Sequence, residues 1–230
     1  MTTDNRWPAG YFIGQRGSLP DADTIDAFRR LPVPNIGDCM GRSCGASGLQ
    51  AYHNDPQHVL CGPALTVKVR PGDNLMIHKA IEMAQPGDVL VIDGSGDLTQ
   101  ALIGGLMRTS ALAKGIAGFV IDGAIRDINE WAEGGVALWA RGNTLRGPSK
   151  EGPGEINVTI QCAGLVVAPG DLIVADADGV IAIPQQQLAS LLPRVREHEQ
   201  REARIRENNR QGTADLERFN AILRAKGCPL

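Results

Sequence analysis

The stretch GDVLVIDGSGDLTQALIGGLMRTSALAKGIAGFVIDGAIRDINEW, residues 87–131, decides the fold. It contains two short apolar runs, VLVID at 89–93 and GIAGFVID at 115–122, of the kind that forms buried strands. Between them, residues 98–114 carry a helical periodicity that Gly104-Gly105 interrupts. The order strand, helix, strand predicts two parallel neighbouring strands joined by a right-handed crossover, and therefore an α/β protein.

The segments that follow these two strands are rich in charge and glycine. DGSGD, at 93–97, is expected to close the first strand, and DGAIRD, at 122–127, ends the second. Because the carboxyl ends of parallel strands emerge at one edge of a sheet, we expect the two segments to meet there and bind a small ligand. DGSGD is not a dinucleotide fingerprint, since Thr99 stands where the third glycine belongs.

Arg126, Asp127 and Glu130 form a charged group directly after the second apolar run. One interpretation is structural: the Asp127 side chain accepts amide hydrogens at a helix start, and the Glu130 side chain accepts the backbone N–H of Asp127, as in a capping box. The other is chemical, because a guanidinium is a planar fork suited to a carboxylate, and the adjacent aspartate suits a hard divalent cation. Together they could hold a 2-keto acid and polarise its carbonyl oxygen.

Gly104-Gly105 also permits two interpretations. The pair either allows close helix packing or exposes the amides of a helix start, which receive an anion. The four histidines, at 53, 58, 78 and 198, show no metal-binding spacing, so no histidine-based metal site or catalytic triad is predicted. The five cysteines are odd in number and lack a CxxC pair, which indicates reduced thiols rather than disulfides or a zinc knuckle.

The rest of the chain alternates between turn-rich and periodic segments. Residues 1–20 predict an irregular arm, and residues 35–49 are turn-rich without a clear element. Helices are predicted at 21–30, ending before Pro32 and Pro34, at 74–84, at 128–135 and, strongly charged, at 185–211. Strands are predicted at 61–70, where alternation indicates half burial, at 136–142, at 156–167, and in a hairpin over 172–184.

Composition and charge exclude several classes of protein. The 230 residues are 43% hydrophobic and 21% charged, which is ordinary for a globular chain with a real core. A net charge of -3 gives no general attraction to phosphate backbones, so we expect no nucleic-acid partner. No apolar run approaches the ~20 residues that span a bilayer, and the N-terminus lacks a signal peptide. We therefore expect no membrane partner and a cytoplasmic location.

Residues 87–131, followed by APGDLIVADADGVIAIP at 168–184, closely resemble the RraA-like / 4-hydroxy-4-methyl-2-oxoglutarate aldolase family. The resemblance covers roughly residues 35–212, and its most specific element is Gly105, then twenty residues, then Arg126-Asp127-x-x-Glu130. It implies a three-layer β/β/α swivelling domain assembled as a homotrimer or a dimer of trimers, with sites between subunits. Residues 1–20 would form an arm, 21–184 the β/β/α domain, and 185–230 a helical extension contacting a neighbouring subunit.

The resemblance also implies class II pyruvate aldolase chemistry with Mg²⁺ or Mn²⁺. The reaction would be cleavage of a 4-hydroxy-2-keto acid such as 4-hydroxy-4-methyl-2-oxoglutarate to pyruvate, with decarboxylation of oxaloacetate sharing the enolate intermediate. Arg126 would be catalytic and bind the keto-acid oxygens, while Asp127 would hold the metal, largely through water. The backbone amides of Gly104, Gly105, Leu106 and Met107 would bind the substrate carboxylate, and Glu199 or Glu202 of a neighbouring subunit would approach the metal.

The sequence departs from this family at one position. Many members have Gly-Asp where Gly104-Gly105 stands, so one carboxylate near the metal is missing. Other members resemble the regulator of ribonuclease E activity and act as inhibitory partners. A noncatalytic regulator that binds a ribonuclease or another protein is therefore the alternative to the lyase.

Overall fold

The structure is a computed structural model that describes residues 7–215 and 217–230. Its strands are β1 (Tyr11–Ile13), β2 (Gln50–Ala51), β3 (Leu60–Val69), β4 (Val89–Ile103), β5 (Gly118–Ile125), β6 (Ala137–Asn143), β7 (Gly154–Ile156), β8 (Ile160–Cys162), β9 (Leu165–Val167), β10 (Leu172–Asp176) and β11 (Gly179–Ile183). Its helices are α1 (Ala22–Arg29), α2 (Val33–Cys39), α3 (Leu75–Met83), α4 (Gly105–Lys114), α5 (Ile128–Ala132), α6 (Leu188–Arg210) and α7 (Glu217–Ala225). A 3-10 turn at Gln185–Gln187 precedes α6.

A nine-stranded sheet runs through the centre of the molecule in the order β1-β7-β3-β4-β5-β6-β2, and β10 and β11 continue it from β3. The four middle strands β3, β4, β5 and β6 are parallel. The predicted pairing of the strands on either side of α4 is confirmed, with Val89 opposite Gly118 and Asp93 opposite Asp122. Parallel pairing brings the ends of these strands to one edge, as expected.

The second half of β4 differs from the prediction. DGSGD does not close the strand, because β4 continues through it to Ile103, past three register shifts against β5. Ser95 and Gly96 take positive φ values of 58° and 69° at the first of these irregularities. Residues 98–103 are therefore strand rather than helix: pairing with β5 supplies their backbone partners, and Ala101, Leu102 and Ile103 are buried. Tertiary pairing overrides the local helical period.

The predicted three-layer β/β/α arrangement is confirmed. Helices α3, α4 and α5 pack on one face of the main sheet around Ile77, Phe119 and Trp131. Strands from β8 to β11 cover the other face, with Val91, Val120 and Ile173 buried between the two β layers. Helices α1, α2 and α6 pack outside β10 and β11 in a third cluster. Because both faces of β3 are covered, nine of its ten residues are buried, and the prediction of a half-buried strand was wrong.

Most of the remaining predicted elements are present, with three corrections. The helices α1, α3, α5 and α6 and the β10–β11 hairpin confirm the patterns, and Asp21 caps α1 through Thr24 N at 2.7 Å. A second helix, α2, begins just after Pro32, where a proline in the first turn leaves no hydrogen bond unmade. Residues 156–167 form parts of three strands, and β1 in the expected irregular arm pairs with β7.

Residues 1–6 of the expected arm lie outside the described residues, and the three domain limits and the contact of residues 185–230 with a neighbour stay predictions. Between residues 7 and 230, apart from residue 216, no helix is long and apolar enough to cross a bilayer. The predicted reduced state of the cysteines agrees with Cys39, Cys44, Cys61, Cys162 and Cys228, all of which are free.

Candidate functional site

The register between β4 and β5 builds the site. Ile103 and Ile125 are opposite each other at the carboxyl ends of the two strands, so Gly104 and Arg126 leave the sheet side by side. The N–H of Arg126 donates to the carbonyl of Ile103 at 3.0 Å, which fixes the relative position of the two segments where they leave the sheet. Trp131, a fully buried residue of α5, donates its indole N–H to the carbonyl of Arg126 at 3.0 Å. The backbone of Arg126 is therefore held from both sides.

Asp127 takes a left-handed backbone conformation, with φ 60° and ψ 46°. This turn aims its carboxylate back at α4, where Oδ2 accepts the N–H of Gly105 at 2.8 Å. The capping-box interpretation was wrong, because the Asp127 side chain makes no cap hydrogen bond to its own helix α5. A non-glycine residue with positive φ costs about 1 kcal/mol or more. The chain therefore carries local strain to bring this carboxylate to the first turn of α4.

Gly104 and Gly105 leave room for two carboxylates. A Cβ on Gly104 would lie well inside 3.0 Å of Asp127 Oδ2 and 3.0 Å from Cγ of Arg126. A Cβ on Gly105 would collide with the carboxylate of Glu130, which lies on the space that a side chain would fill there. An aspartate at position 105, as the family resemblance leads one to expect, would therefore require Glu130 to move. The pair serves the charged groups around it rather than helix packing alone.

The backbone N–H groups at the start of α4 divide into two kinds. Gly105 N–H is bonded to Asp127, and Met107 N–H donates to the carbonyl of Gly104 at 3.0 Å. For Gly104 and Leu106, no acceptor is found within the described part of the chain. Two of the four predicted amides are therefore engaged inside the protein, and two remain able to bind a substrate carboxylate at a helix N-terminus.

A small pocket of about 120 Å³, which we call the Asp127 pocket, opens against these groups. It is smaller than the roughly 300–1,000 Å³ of sites for drug-sized ligands, which suits a small organic acid. The predicted residues that it brings together are Gly104, Leu106, Met107, Arg126 and Asp127. Residues that the sequence did not reveal also line it: Asn74, His78 and Lys150, beside Leu102, Ile103 and Pro148.

Asn74 and Lys150 come to the pocket from distant segments. Asn74 is 3% exposed, donates Nδ2 to the carbonyl of Leu102 at 2.9 Å, and leaves Oδ1 without a hydrogen bond among the described residues. Such a buried, unpaired oxygen is rare, and in a pocket wall it is available to a ligand. Lys150 adds a second cation to that of Arg126. The pocket is thus suited to an anion with more than one charged end.

Asp73 holds the loop that carries Lys150. Its buried Oδ2 accepts Ser149 Oγ at 2.6 Å and Glu151 N–H at 2.7 Å, and Oδ1 accepts Leu75 N–H at 3.0 Å. Burial alone would raise the pKa of Asp73, but these hydrogen bonds outweigh burial and lower it. Because the bonds flank Lys150 on both sides, Asp73 positions that loop.

His78 lies on α3 and faces the same pocket. Partial burial lowers its pKa from the ordinary 6.5, and the positive charge of Lys150 lowers it further. His78 is therefore neutral at pH 7 and can accept a proton there. The only sequence signal for this residue was its position off the apolar face of α3.

Glu199 and Glu202 lie on α6, away from this pocket in the same chain. Glu199 lines a separate cleft with Asp23 and Arg196. Glu202 Oε1 lies 3.6 Å from Nε2 of His198. Neither residue lines the Asp127 pocket. The approach of one of them to the metal of a neighbouring subunit stays a prediction.

The chain combines a β/β/α fold with an Arg–Asp pair that faces two glycines at one edge of a parallel sheet. These features together indicate which class of protein it is. The chain belongs to the RraA-like family, Aldolase/RraA, whose model matches residues 22–182. A relative from Halalkalibacterium halodurans, named putative 4-hydroxy-4-methyl-2-oxoglutarate aldolase, is 42% identical over 88% of this chain and 98% of its own. A Thermus thermophilus protein named 4-hydroxy-4-methyl-2-oxoglutarate aldolase is 40% identical over 49% of this chain and 69% of its own.

Among solved structures, RraAS2 of Streptomyces coelicolor is similar to this chain. It is described as an unusual member of the RNase ES inhibitor RraA protein family. The two share a TM-score of 0.75 and 29% identity, over 83% of this chain and 98% of that chain. The similar proteins thus include some that are named as aldolases and one that is described within a ribonuclease inhibitor family. The family match and the sequence identities confirm the resemblance seen in the sequence.

Proposed function

We propose that this protein is a divalent-metal-dependent lyase. It cleaves a 4-hydroxy-2-keto acid such as 4-hydroxy-4-methyl-2-oxoglutarate to pyruvate, and it decarboxylates oxaloacetate. The observation that carries the proposal is the pocket in which Arg126 and Asp127 face the first turn of α4. The names of the aldolase relatives support the same reaction class.

The charges of the pocket suit such a substrate. The free N–H groups of Gly104 and Leu106 bind the carboxylate next to the ketone, at the positive end of the α4 dipole. Arg126 binds the keto oxygen with its planar donor fork. Lys150 attracts the second carboxylate, which both proposed substrates carry. The pocket therefore prefers keto acids that carry two carboxylates.

Asp127 fits a hard divalent ion such as Mg²⁺ or Mn²⁺. Its side chain is 41% exposed, and Oδ1 accepts no hydrogen bond from any residue the structure describes, while Gly105 fixes Oδ2. One carboxylate with mostly water ligands is a common magnesium arrangement. Glu199 of a neighbouring subunit in a trimer or dimer of trimers is the acid that would bind the metal waters. When bound, the ion supplies Lewis-acid stabilisation of the enolate oxygen.

The residues of the chain account for the bond changes. When the C3–C4 bond breaks, its electron pair moves toward C2 and places negative charge on the keto oxygen, where Arg126 stabilises it. In the aldol cleavage the 4-hydroxyl loses its proton as its carbon becomes a ketone, and neutral His78 is a group in the pocket that can accept it. Protonation of the enolate at C3 then releases pyruvate.

The test is pyruvate release by Arg126→Ala, followed with a coupled lactate dehydrogenase assay. Losing one donor to a developing oxyanion costs about 10²–10³ in turnover, so we expect at least that loss with the fold intact. Arg30→Ala, an exposed arginine at the end of α1, is the matched control and should be unchanged. EDTA should abolish release, and Mg²⁺ should restore it. Near-normal turnover by Arg126→Ala would remove its catalytic role.

A second candidate function is noncatalytic regulation of a ribonuclease or another protein. The similarity to RraAS2 favours it, because that structure is described within an RNase ES inhibitor family. Such a regulator would act through its outer surface and would need no metal. Absence of pyruvate release from both substrates, with and without Mg²⁺, would favour this function over the lyase.

A further inference from the structure

Three metal-ligating side chains meet where α2 contacts α6, and two of them, Asp38 and His198, line a cleft that shares no lining residue with the Asp127 pocket. Asp38 lies near the end of α2, and His198 and Glu202 are one turn apart on α6. One ligating atom of each lies within 4.8 Å of the others. The spacing of the four histidines along the chain gave no indication of this i, i+4 pair of His198 and Glu202 on α6.

His198 is the central group. It is 9% exposed, and its Nε2 is buried without a hydrogen bond among the described residues. Nε2 lies 3.3 Å from Asp38 Oδ2 and 3.6 Å from Glu202 Oε1. N–H···O hydrogen bonds are about 2.7–3.2 Å long. Two ligands about 2.1 Å from a tetrahedral ion are ~3.4 Å apart, so the spacing fits an ion between the three groups better than direct hydrogen bonds.

The outer oxygen of each carboxylate forms an ion pair with an arginine, and the pair of Glu202 is also a hydrogen bond. Arg42 Nε lies 3.5 Å from Asp38 Oδ1, and Arg206 Nη2 lies 3.1 Å from Glu202 Oε2. Hydrogen-bonding partners on the outer atoms of metal ligands commonly orient the inner atoms. Here they leave Oδ2 of Asp38 and Oε1 of Glu202 directed at His198.

We propose that Asp38, His198 and Glu202 bind a divalent transition metal of the Zn²⁺ class and clip α6 to α2. One imidazole nitrogen with two carboxylate oxygens suits Zn²⁺ and its neighbours, whereas Mg²⁺ and Ca²⁺ take oxygen ligands. Three protein ligands leave a fourth position to water. This site does not depend on the proposed lyase activity.

Arg201 competes with the metal. Its Nη2 lies 2.6 Å from His198 Nδ1, and because arginine can only donate, the neutral ring carries its proton on Nε2. Metal binding needs the lone pair of Nε2, so the proton must move to Nδ1 and Arg201 must turn away. Arg201 is exposed and free to do so. Its removal should therefore tighten metal binding.

The test is isothermal titration of the full-length protein with ZnCl₂. We expect a saturable site that is weakened by more than about tenfold in Asp38→Asn and His198→Gln and tightened in Arg201→Ala, and that is distinct from the ion site proposed at Asp127. Asp127→Asn, which removes the ion site proposed for the lyase, should retain this second site, and so should Cys44→Ser, which alters an exposed thiol. Unchanged binding in Asp38→Asn, or loss of binding in Asp127→Asn, would overturn the proposal.

Thermal unfolding gives a second readout. Zn²⁺ should raise the Tm of the wild type more than that of Asp38→Asn, because an ion that binds only the folded chain stabilises it and Asp38→Asn removes one of its ligands. Asp38 is exposed, so this substitution leaves the fold intact even if His198→Gln fails to fold. An equal rise in Tm for wild type and Asp38→Asn would count against the site.

Discussion

Gly104→Ala changes the geometry of the Asp127 pocket without removing any of its charged groups. Gly104 has φ -155° and ψ -167°, an extended backbone that alanine adopts without strain. The added Cβ would nevertheless lie inside 3.0 Å of Asp127 Oδ2, whereas ordinary contacts begin at 3.4 Å. The carboxylate must therefore move away, and with it the side chain of Arg126, whose Nε would be 3.2 Å from the new methyl group.

The size of the effect follows from this displacement. A misplacement of ~1 Å in a catalytic group costs about 10²-fold in rate, so we expect kcat/KM for pyruvate release to fall about 10- to 100-fold. Stability should fall by only about 1–2 kcal/mol, because the change loses the bond from Gly105 N–H to Asp127 that caps α4. Urea unfolding measures the second quantity and the coupled assay the first.

Gly105→Ala is the matched control. Its Cβ would meet only the carboxylate of Glu130, an exposed and flexible side chain that can turn away. Alanine also gains about 0.5–1 kcal/mol over glycine within a helix, which offsets part of any strain. Activity should stay within a few-fold of wild type. Equal activity losses in Gly104→Ala and Gly105→Ala would refute the role assigned to the Asp127 carboxylate.

Two further predictions concern the loop around Lys150. Lys150→Met should raise the pKa of His78 toward 6.5 but not fully, since partial burial remains. The same substitution should raise KM for oxaloacetate. An unchanged pKa of His78, measured by NMR titration, would contradict this prediction. Asp73→Asn should lower the free energy of unfolding by about 2 kcal/mol at pH 7, because charge-assisted hydrogen bonds are lost. The folded pKa of Asp73 is lowered, so its contribution is full above 3.8 and is lost as pH falls further. Urea unfolding at pH 7 and pH 3 should therefore show a smaller difference at pH 3, and a constant difference would contradict the assignment.

The local sequence was sufficient to predict an element where its pattern of apolar and charged residues was unambiguous. Two continuous apolar runs predicted the parallel strands, and an Arg–Asp pair after the second run predicted the edge at which the pocket lies. The same reasoning failed for residues 98–103, whose helical period was overridden by pairing with β5. It also failed for α2, since prolines at its start looked like a stop.

The sequence by itself determined which chemical groups this protein has and the order of its strands and helices, because periodicity and charge are local properties of the chain. Only the tertiary structure decided which groups meet. Asp127 bonds to Gly105 across 22 positions, Asp73 to Glu151 across 78, and Asp38 approaches His198 from a different helix. Contacts over such separations depend on strand register and layer packing, which no local pattern encodes.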